Sequence, residues 1–261
     1  MEKTRKNKIN ADKADKNEEK KEEKNVAVVY SEANEIEEMF KSGTHFAYSR
    51  SRRHPKMTPF IYGIRNNTEV FDLEKTYPLF QKAGEFMKEA GKSKKQILFV
   101  GAKPGIKDII KKIAEELSMP YVNERWIGGT LTNFKAIRNR ISYFEKLIKE
   151  REGGELEKYT KKERVRINKE FGKLEKKFKS IISLLNPPNL LVVVDSKEEN
   201  TAIREAKKIS IPVVAIMNSD CDLKDAGYPV PGNDSAMKSV DYLLGKLAEK
   251  YKEGLKGLPI L

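Results

Sequence analysis

The sequence predicts an α/β protein: a doubly wound parallel β-sheet with helices on both faces, interrupted by an antiparallel coiled-coil helical hairpin. Three observations lead there. From about Thr68 onward, short β-branched apolar runs alternate with segments of helical periodicity, the pattern of a parallel sheet covered on both faces. After the third run, apolar residues step by four and three along two long helices instead. With 261 residues, 38% of them hydrophobic, the chain can bury one sizeable core. A sheet wound this way is flavodoxin-like or Rossmann-like.

Taken in order, residues 1–24 mix Lys and Glu with almost no large apolar side chain, too little to offset the entropy of ordering. Residues 1–30 are therefore expected to form a disordered, charged N-terminal extension. Over Ser31–Lys41, Ile36, Met39 and Phe40 recur at helical spacing and Gly43 follows as a stop. The α/β unit is expected over 31–130 and 186–250. Its pieces are EVFDL and a helix through LFQKAGEFMKEAGK, QILFVG and PGIKDIIKKIAEEL, then YV with glycines and a long helix. After the interruption come LLVVVD with EENTAIREAKKI, and PVVAIM with a last helix through DSAMKSVDYLLGKLAEKY. Residues 251–261 read as a flexible C-terminal tail.

The insertion occupies 131–185. Ile137, Ile141, Phe144 and Ile148 form one seam, and Ile167, Phe171, Leu174, Phe178, Ile181 and Leu185 the other. Gly153-Gly154 marks the tip, and Thr160 with Glu163 makes a capping box for the second helix. Lys and Arg crowd its outer faces between Lys158 and Lys179, but interspersed Glu residues leave a solvated surface and an RNA-contacting one equally open.

Composition narrows the function. There are 52 Lys and Arg against 39 Asp and Glu, a formal charge of +13, and 35% charged residues against an ordinary ~25%. The surplus fits a polyanionic partner or simply a soluble surface. One cysteine, Cys221, excludes an internal disulfide and CxxC chemistry and suits a reducing compartment. Two histidines, His45 and His54, offer little for catalysis or metal binding. No apolar run approaches the ~18 residues of a membrane span and the first residues lack a signal-peptide core, so a cytoplasmic protein without a membrane partner is expected.

Two segments invite a nucleotide. FVGAKPGIKDII, residues 99–110, sets Gly101 at a strand end and Gly105 near a helix start, but matches neither GxGxxG nor GxxxxGK[ST]. A turn glycine with Pro104 opening a helix accounts for it better, although Lys103 could meet a phosphate at that helix end. LLVVVDSKEEN ends a strand at Asp195, which reads as a helix cap in preference to a ribose- or metal-binding carboxylate. PVPGNDSA reads as a proline-glycine turn before a helix capped by Asn233 or Asp234.

HFAYSRSRRHPKMTPFIYGIRNN, residues 45–67, interleaves Arg50, Arg52, Arg53, Lys56 and Arg65 with Phe46, Tyr48, Phe60 and Tyr62, and no acidic residue interrupts it. Arginine forks clamp phosphates and aromatic faces stack on exposed bases, so the mixture points to RNA over a loop packed by its own aromatics. YVNERWIGGTLTNFKAIRNR, residues 121–140, offers Arg125, Asn133, Lys135, Arg138 and Arg140 beside a strand-glycine-helix junction. Thr130 or Thr132 can cap that helix, whose free N–H groups would attract a phosphate, while Trp126 reads as a packing residue.

GTHFAYSRSRRHPKMTPFIYGIRNN, DLEKT, ILFVGAK, MPYVNERWIGGTLTNFKAIR, LLVVVDSKEENTAIREA, IPVVAIMNSDCD and PVPGND, in this order, resemble bacterial small-subunit ribosomal protein two over about residues 35 to 250. The resemblance implies a non-enzymatic, structural component of the small ribosomal subunit in the cytoplasm. It also implies a flavodoxin-like sheet with an inserted coiled-coil hairpin, sitting on 16S ribosomal RNA near the head and body junction. Carried over residue by residue, the RNA-facing positions are Arg50, Arg52, Arg53, Lys56, Arg65, Asn66, Arg125, Asn133, Lys135 and Arg138, with Lys103 added from the helix-end argument. Neighbouring small-subunit proteins are the implied protein partners, and some members help to hold ribosomal protein one. No cofactor, metal, catalytic residue or small-molecule substrate is expected.

Departures are few. The family's usual HFGH is His45-Phe46-Ala47-Tyr48 here, the acidic residue before the tyrosine of the PGND segment is Gly227, and residues 1–30 have no counterpart. Two rivals make different demands: a nucleotide enzyme working at Gly101, Gly128 and Asp195, and a basic coiled-coil adaptor for proteins.

Overall fold

A computed structural model describes residues 32–154 and 160–257. The predicted extension over 1–30, residues 155–159 of the predicted insertion including Lys158, and residues 258–261 lie outside the described residues.

The first element among the described residues is α1 (residues 32–41), which buries Met39. Phe40, predicted on its apolar face, is instead 58% exposed and stacks on His45 at 4.2 Å. Gly43 follows with φ +78°, the left-handed stop that glycine supplies without a Cβ penalty.

Next comes a feature the alternation argument misassigned. EVFDL does not open the parallel sheet: β1 (Ile61–Arg65) and β2 (Thr68–Phe71) form a separate antiparallel hairpin. Arg65 pairs with Thr68 across Asn66 and Asn67, whose φ angles of 50° and 61° are those of a type I′ turn, the two-residue loop matching strand twist.

The large sheet holds five parallel strands in the order β4-β3-β5-β6-β7: β3 (Ile97–Val100), β4 (Tyr121–Val122), β5 (Leu190–Val194), β6 (Val213–Met217) and β7 (Tyr228–Pro231). β7 was predicted as a turn. It is an edge strand, where Pro229 and Pro231 need not supply a ladder N–H on the open side.

Helices cover both faces. Ile97, Phe99, Leu190, Val192, Val194, Val214 and Ile216 pack one way, against α2 (Leu73–Lys92), α3 (Lys107–Glu116) and α7 (Met237–Lys256). Leu98, Val100, Leu191, Val193, Val213, Ala215 and Met217 pack the other way, with α4 (Phe134–Glu152), α5 (Lys161–Phe178) and α6 (Asn200–Lys208). Consecutive strand residues are all apolar because each face has its own core.

α2 and α7 meet at glycines. A Cβ on Gly91 would overlap the Tyr251 carbonyl oxygen, and one on Gly254 would overlap that of Lys88. The same contact corrects the predicted C-terminal boundary: residues 251–256 continue α7, and Tyr251 is 1% exposed with its hydroxyl donating to the Lys95 carbonyl at 2.9 Å. Burying that ring against α2 holds the last turns of α7 in place.

α4 and α5 touch through Phe144 and Phe171, ring centroids 5.4 Å apart, and Arg151 lies over Phe171 at 4.7 Å. The Thr160–Glu163 capping box is present, the Thr160 amide donating to Glu163 Oε2 at 2.9 Å. The seam differs at its end: Leu185 is 64% exposed and Leu184 is buried. α5 stops at Phe178 and Lys179–Ile181 form a 3₁₀ turn, whose three residues per turn advance the phase by one position.

Candidate nucleic-acid interface

The carboxyl ends of β3, β5, β6 and β7 converge where a doubly wound sheet usually binds its ligand, and the strand order puts the switch point between β3 and β5. In this chain its own side chains occupy that place. Lys103, just beyond β3, donates to Asp195 Oδ2 at 3.2 Å, Tyr48 Oη at 3.0 Å and Ser235 Oγ at 2.9 Å, and its ammonium lies 3.3 Å from Asp234 Oδ1. Burial pulls the Lys103 pKa down, but the bond to Tyr48 and the charges of Asp234 and Asp195 outweigh it and hold the ammonium above its ordinary value. Burial, then the neighbouring Asp195 charge, raises Asp234.

Asp195 does not cap α6, whose cap position is Glu199: its Oδ1 accepts from the amides of Lys197 and Glu198 at 3.1 Å in the turn ahead of the helix, and it also carries this ion pair. Pro104 lies in the turn before α3, not at its first residue. Neither Asn233 nor Asp234 caps α7, whose cap position is Ala236 without a side-chain bond; Asn233 Oδ1 accepts from the amides of Ser235 and Ala236 in the turn before it. Asp234 points inward and accepts from Asn218 Nδ2 at 2.8 Å.

Residues 45–56 lie across these strand ends. The Tyr48 amide donates to Asn218 Oδ1 and Ser219 Oγ, both at 3.2 Å, its carbonyl accepts from Glu69, and the His54 amide donates to the Ser219 carbonyl at 2.8 Å. Although no acidic residue lies within 45–67, the tertiary structure brings carboxylates to two of its cations. Arg53 Nη1 bonds Glu69 Oε1 at 2.9 Å, a carboxylate with no exposed side-chain surface. Lys56 grips both Asp222 oxygens at 2.9 and 2.6 Å. Arg50 and Arg65 are exposed and make no ion pair among the described residues, and Arg52 lies over the Tyr48 ring at 4.5 Å. Asn66 occupies the exposed hairpin turn. Of the four aromatics, Phe46 and Tyr62 stand exposed, Phe60 is half-buried and Tyr48 is drawn inward.

The glycine block has a different internal anion. Glu205, 7% exposed on α6, accepts from the amides of Gly129 at 2.7 Å, Leu131 at 2.9 Å and Thr132 at 3.2 Å, and from Trp126 Nε1 at 3.2 Å. Burial alone would raise its pKa, but the donors from Gly129, Leu131, Trp126 and Thr132 outweigh it and hold the carboxyl below its ordinary value. Three amides of the turn ahead of α4 are thus spent on a carboxylate of the chain. Trp126 is a packing residue, as predicted. Neither Thr130 nor Thr132 caps α4, because Thr130 Oγ1 donates to the Ile127 carbonyl, Thr132 faces Glu205, and Asn133 holds the cap position without a side-chain bond.

Arg125, Asn133 and Lys135 are exposed, and the two cations make no ion pair among the described residues. Arg138 turns back to the Ile182 carbonyl and Glu145, both at 3.1 Å.

Sequence reasoning did not single out Glu205, Glu69 or Asp222 as partners. A signal existed for the first two. Glu205 shares the α6 face of Ala202 and Ala206, and Glu69 alternates with Phe71 on the buried side of β2. A carboxylate in an apolar stripe must have donors waiting for it.

A family model described as "Ribosomal protein S2" matches residues 39–254. A small ribosomal subunit protein uS2 from Coprothermobacter proteolyticus is 42% identical over 222 residues, covering 85% of this chain and 83% of that protein. Proteins with the same description from Geotalea uraniireducens and Dictyoglomus thermophilum are 40% and 39% identical over 219 residues, covering 84% of this chain and 86% and 89% of theirs. Proteins of this kind are structural and non-enzymatic. Matched over most of its length by that model and by these relatives, the chain belongs to the ribosomal protein S2 family.

Proposed function

We propose that this chain is a structural constituent of the small ribosomal subunit, in the cytoplasm, and that it binds small-subunit ribosomal RNA through Arg50, Arg52, Arg65, Asn66, Arg125, Asn133 and Lys135. One observation carries the choice of residues: each basic block divides into cations held by carboxylates and exposed cations without an ion pair among the described residues. Arg53, Lys56, Lys103 and Arg138 support the fold first, and contact RNA only with donors left over.

α4 and α5 serve in this reading as an antiparallel coiled-coil arm, the insertion over 131–185, and carry a second contact. Lys161, Lys162, Arg164, Lys173 and Lys176 are exposed along α5 and support it. Neighbouring small-subunit proteins, with ribosomal protein one among those implied by the resemblance, are the proposed protein partners.

Phosphate binding releases counterions, so log affinity for the RNA should fall linearly with log salt, by about 0.7 to 0.9 per phosphate engaged. Ala at Arg50 and Arg65 together should flatten the slope by roughly one to two units. An unchanged slope refutes the residue assignment. Sedimentation of the tagged protein from its own cells tests the wider reading, which a wholly free pool would overturn.

A further inference from the structure

Tyr48 stands where the usual family pattern has a second histidine, and its contacts connect the ligand crevice of the sheet to the arginine block. Its backbone is tied to β2 and to the end of β6 through Glu69, Asn218 and Ser219. Its hydroxyl bonds Ser235 Oγ at 2.7 Å, accepts from Lys103 Nζ at 3.0 Å and reaches Asp234 Oδ1 at 3.4 Å. Its half-buried ring carries the Arg52 guanidinium at 4.5 Å, with Lys103 Nζ 5.7 Å from the ring centroid.

We infer that Tyr48 is the positioning residue of the arginine block: it occupies the crevice at the sheet's switch point as a built-in ligand and presents Arg52 to an RNA phosphate from its ring face. This rests on the proposed RNA-binding reading. An arginine on an exposed 3₁₀ turn has many rotamers, and ordering it on binding costs affinity. A ring fixed at both its backbone and its hydroxyl removes much of that freedom beforehand, since an aromatic face attracts a guanidinium without consuming its N–H donors. Those donors remain available to phosphate. Lys103 has a role in this reading as the cation that holds the Tyr48 hydroxyl.

The test is a double-mutant cycle on the full chain, read as affinity for in vitro transcribed small-subunit ribosomal RNA over a series of KCl concentrations, with thermal melting as the check on folding. R52A should flatten the salt slope by about 0.7 to 0.9. Y48L, which fills the space but has neither ring face nor hydroxyl, should weaken binding across the salt series, and its loss and that of R52A should be less than additive in Y48L/R52A. Y48L binding as tightly as the parent, or Y48L and R52A losses that strictly add, beside a flattened R52A, overturns the positioning role and leaves the RNA reading intact. An R52A slope equal to the parent's removes Arg52 from the phosphate contacts and overturns the inference, while the RNA reading is decided by Ala at Arg50 and Arg65. Should Y48L fail to fold, Y48F takes its place in the cycle: less-than-additive losses support the inference, and strictly additive ones sink it.

Discussion

Glu205 accepts the backbone amide of Gly129 at 2.7 Å, so the strand-glycine-helix junction encloses an anion that belongs to the protein. The junction keeps the polarity of a phosphate site and has lost its vacancy. Lys103 and Asp195 likewise fill the switch-point crevice, where this fold ordinarily takes a nucleotide.

Replacing Glu205 by Gln should destabilise the protein by about 1 to 3 kcal/mol, because an amide NH₂ would face donors that now meet a carboxylate oxygen. The effect should depend on pH. The folded carboxyl titrates below its ordinary value of 4.5, so its contribution is complete well above that value and is lost as pH falls through the folded pKa. Urea denaturation of parent and E205Q should show a gap that is widest near neutrality and closes in acid. A gap independent of pH would show that the charge is irrelevant.

Nucleotides should not stabilise the chain. A ligand that binds only the folded state raises stability by RT ln(1 + [L]/Kd), so ATP, GTP or NAD at a hundredfold excess over its Kd would contribute about 2.7 kcal/mol. The expected result in a thermal-shift series is no change. A saturable rise with any of them would restore the nucleotide-enzyme reading.

Arg53 and Arg50 should behave oppositely although they lie three positions apart. R53A leaves the buried Glu69 carboxylate without its cation and should cost about 3 to 5 kcal/mol in stability. R50A, on an exposed side chain, should leave stability within about 0.5 kcal/mol. Its effect should be on the salt dependence of RNA binding instead. Chemical denaturation and RNA titration of both variants check the division, which equal stability losses would contradict.

Gly254→Ala should separate α2 from α7. The added Cβ would overlap the Lys88 carbonyl oxygen and press on the Lys92 amide at 2.9 Å, and neither backbone can move aside easily. Overpacking of this kind costs about 1 to 3 kcal/mol or more. Gly245→Ala is the control: it lies in the same helix with nothing within 4 Å of the new Cβ. It should be neutral or slightly stabilising by helix propensity. Melting temperatures of the two variants are compared directly.

Much of this molecule is local in origin and therefore legible in one dimension. The continuous apolar runs of β3, β5 and β6 and the period-3.6 patterns of α2 and α7 depend on neighbours a few residues away, and the Thr160–Glu163 capping box lies within one turn. The charge excess and the two basic blocks are likewise sequence facts, as are the motifs that resemble a ribosomal protein. β7 and the β1–β2 hairpin were misread because prolines and a two-residue turn are judged by sheet position, and an edge position is set by partners far along the chain.

The sequence by itself determined an α/β core, a basic and non-enzymatic character and the segments that carry its cations. Only the tertiary structure decided which cations are available. Arg53 and Glu69 are 16 residues apart, Lys103 and Asp195 are 92 apart, and Gly129 and Glu205 are 76 apart. A carboxylate's partner is fixed by distance in space and by exclusion of water, which strengthens the pair it leaves together, and neither quantity can be read from position in the chain.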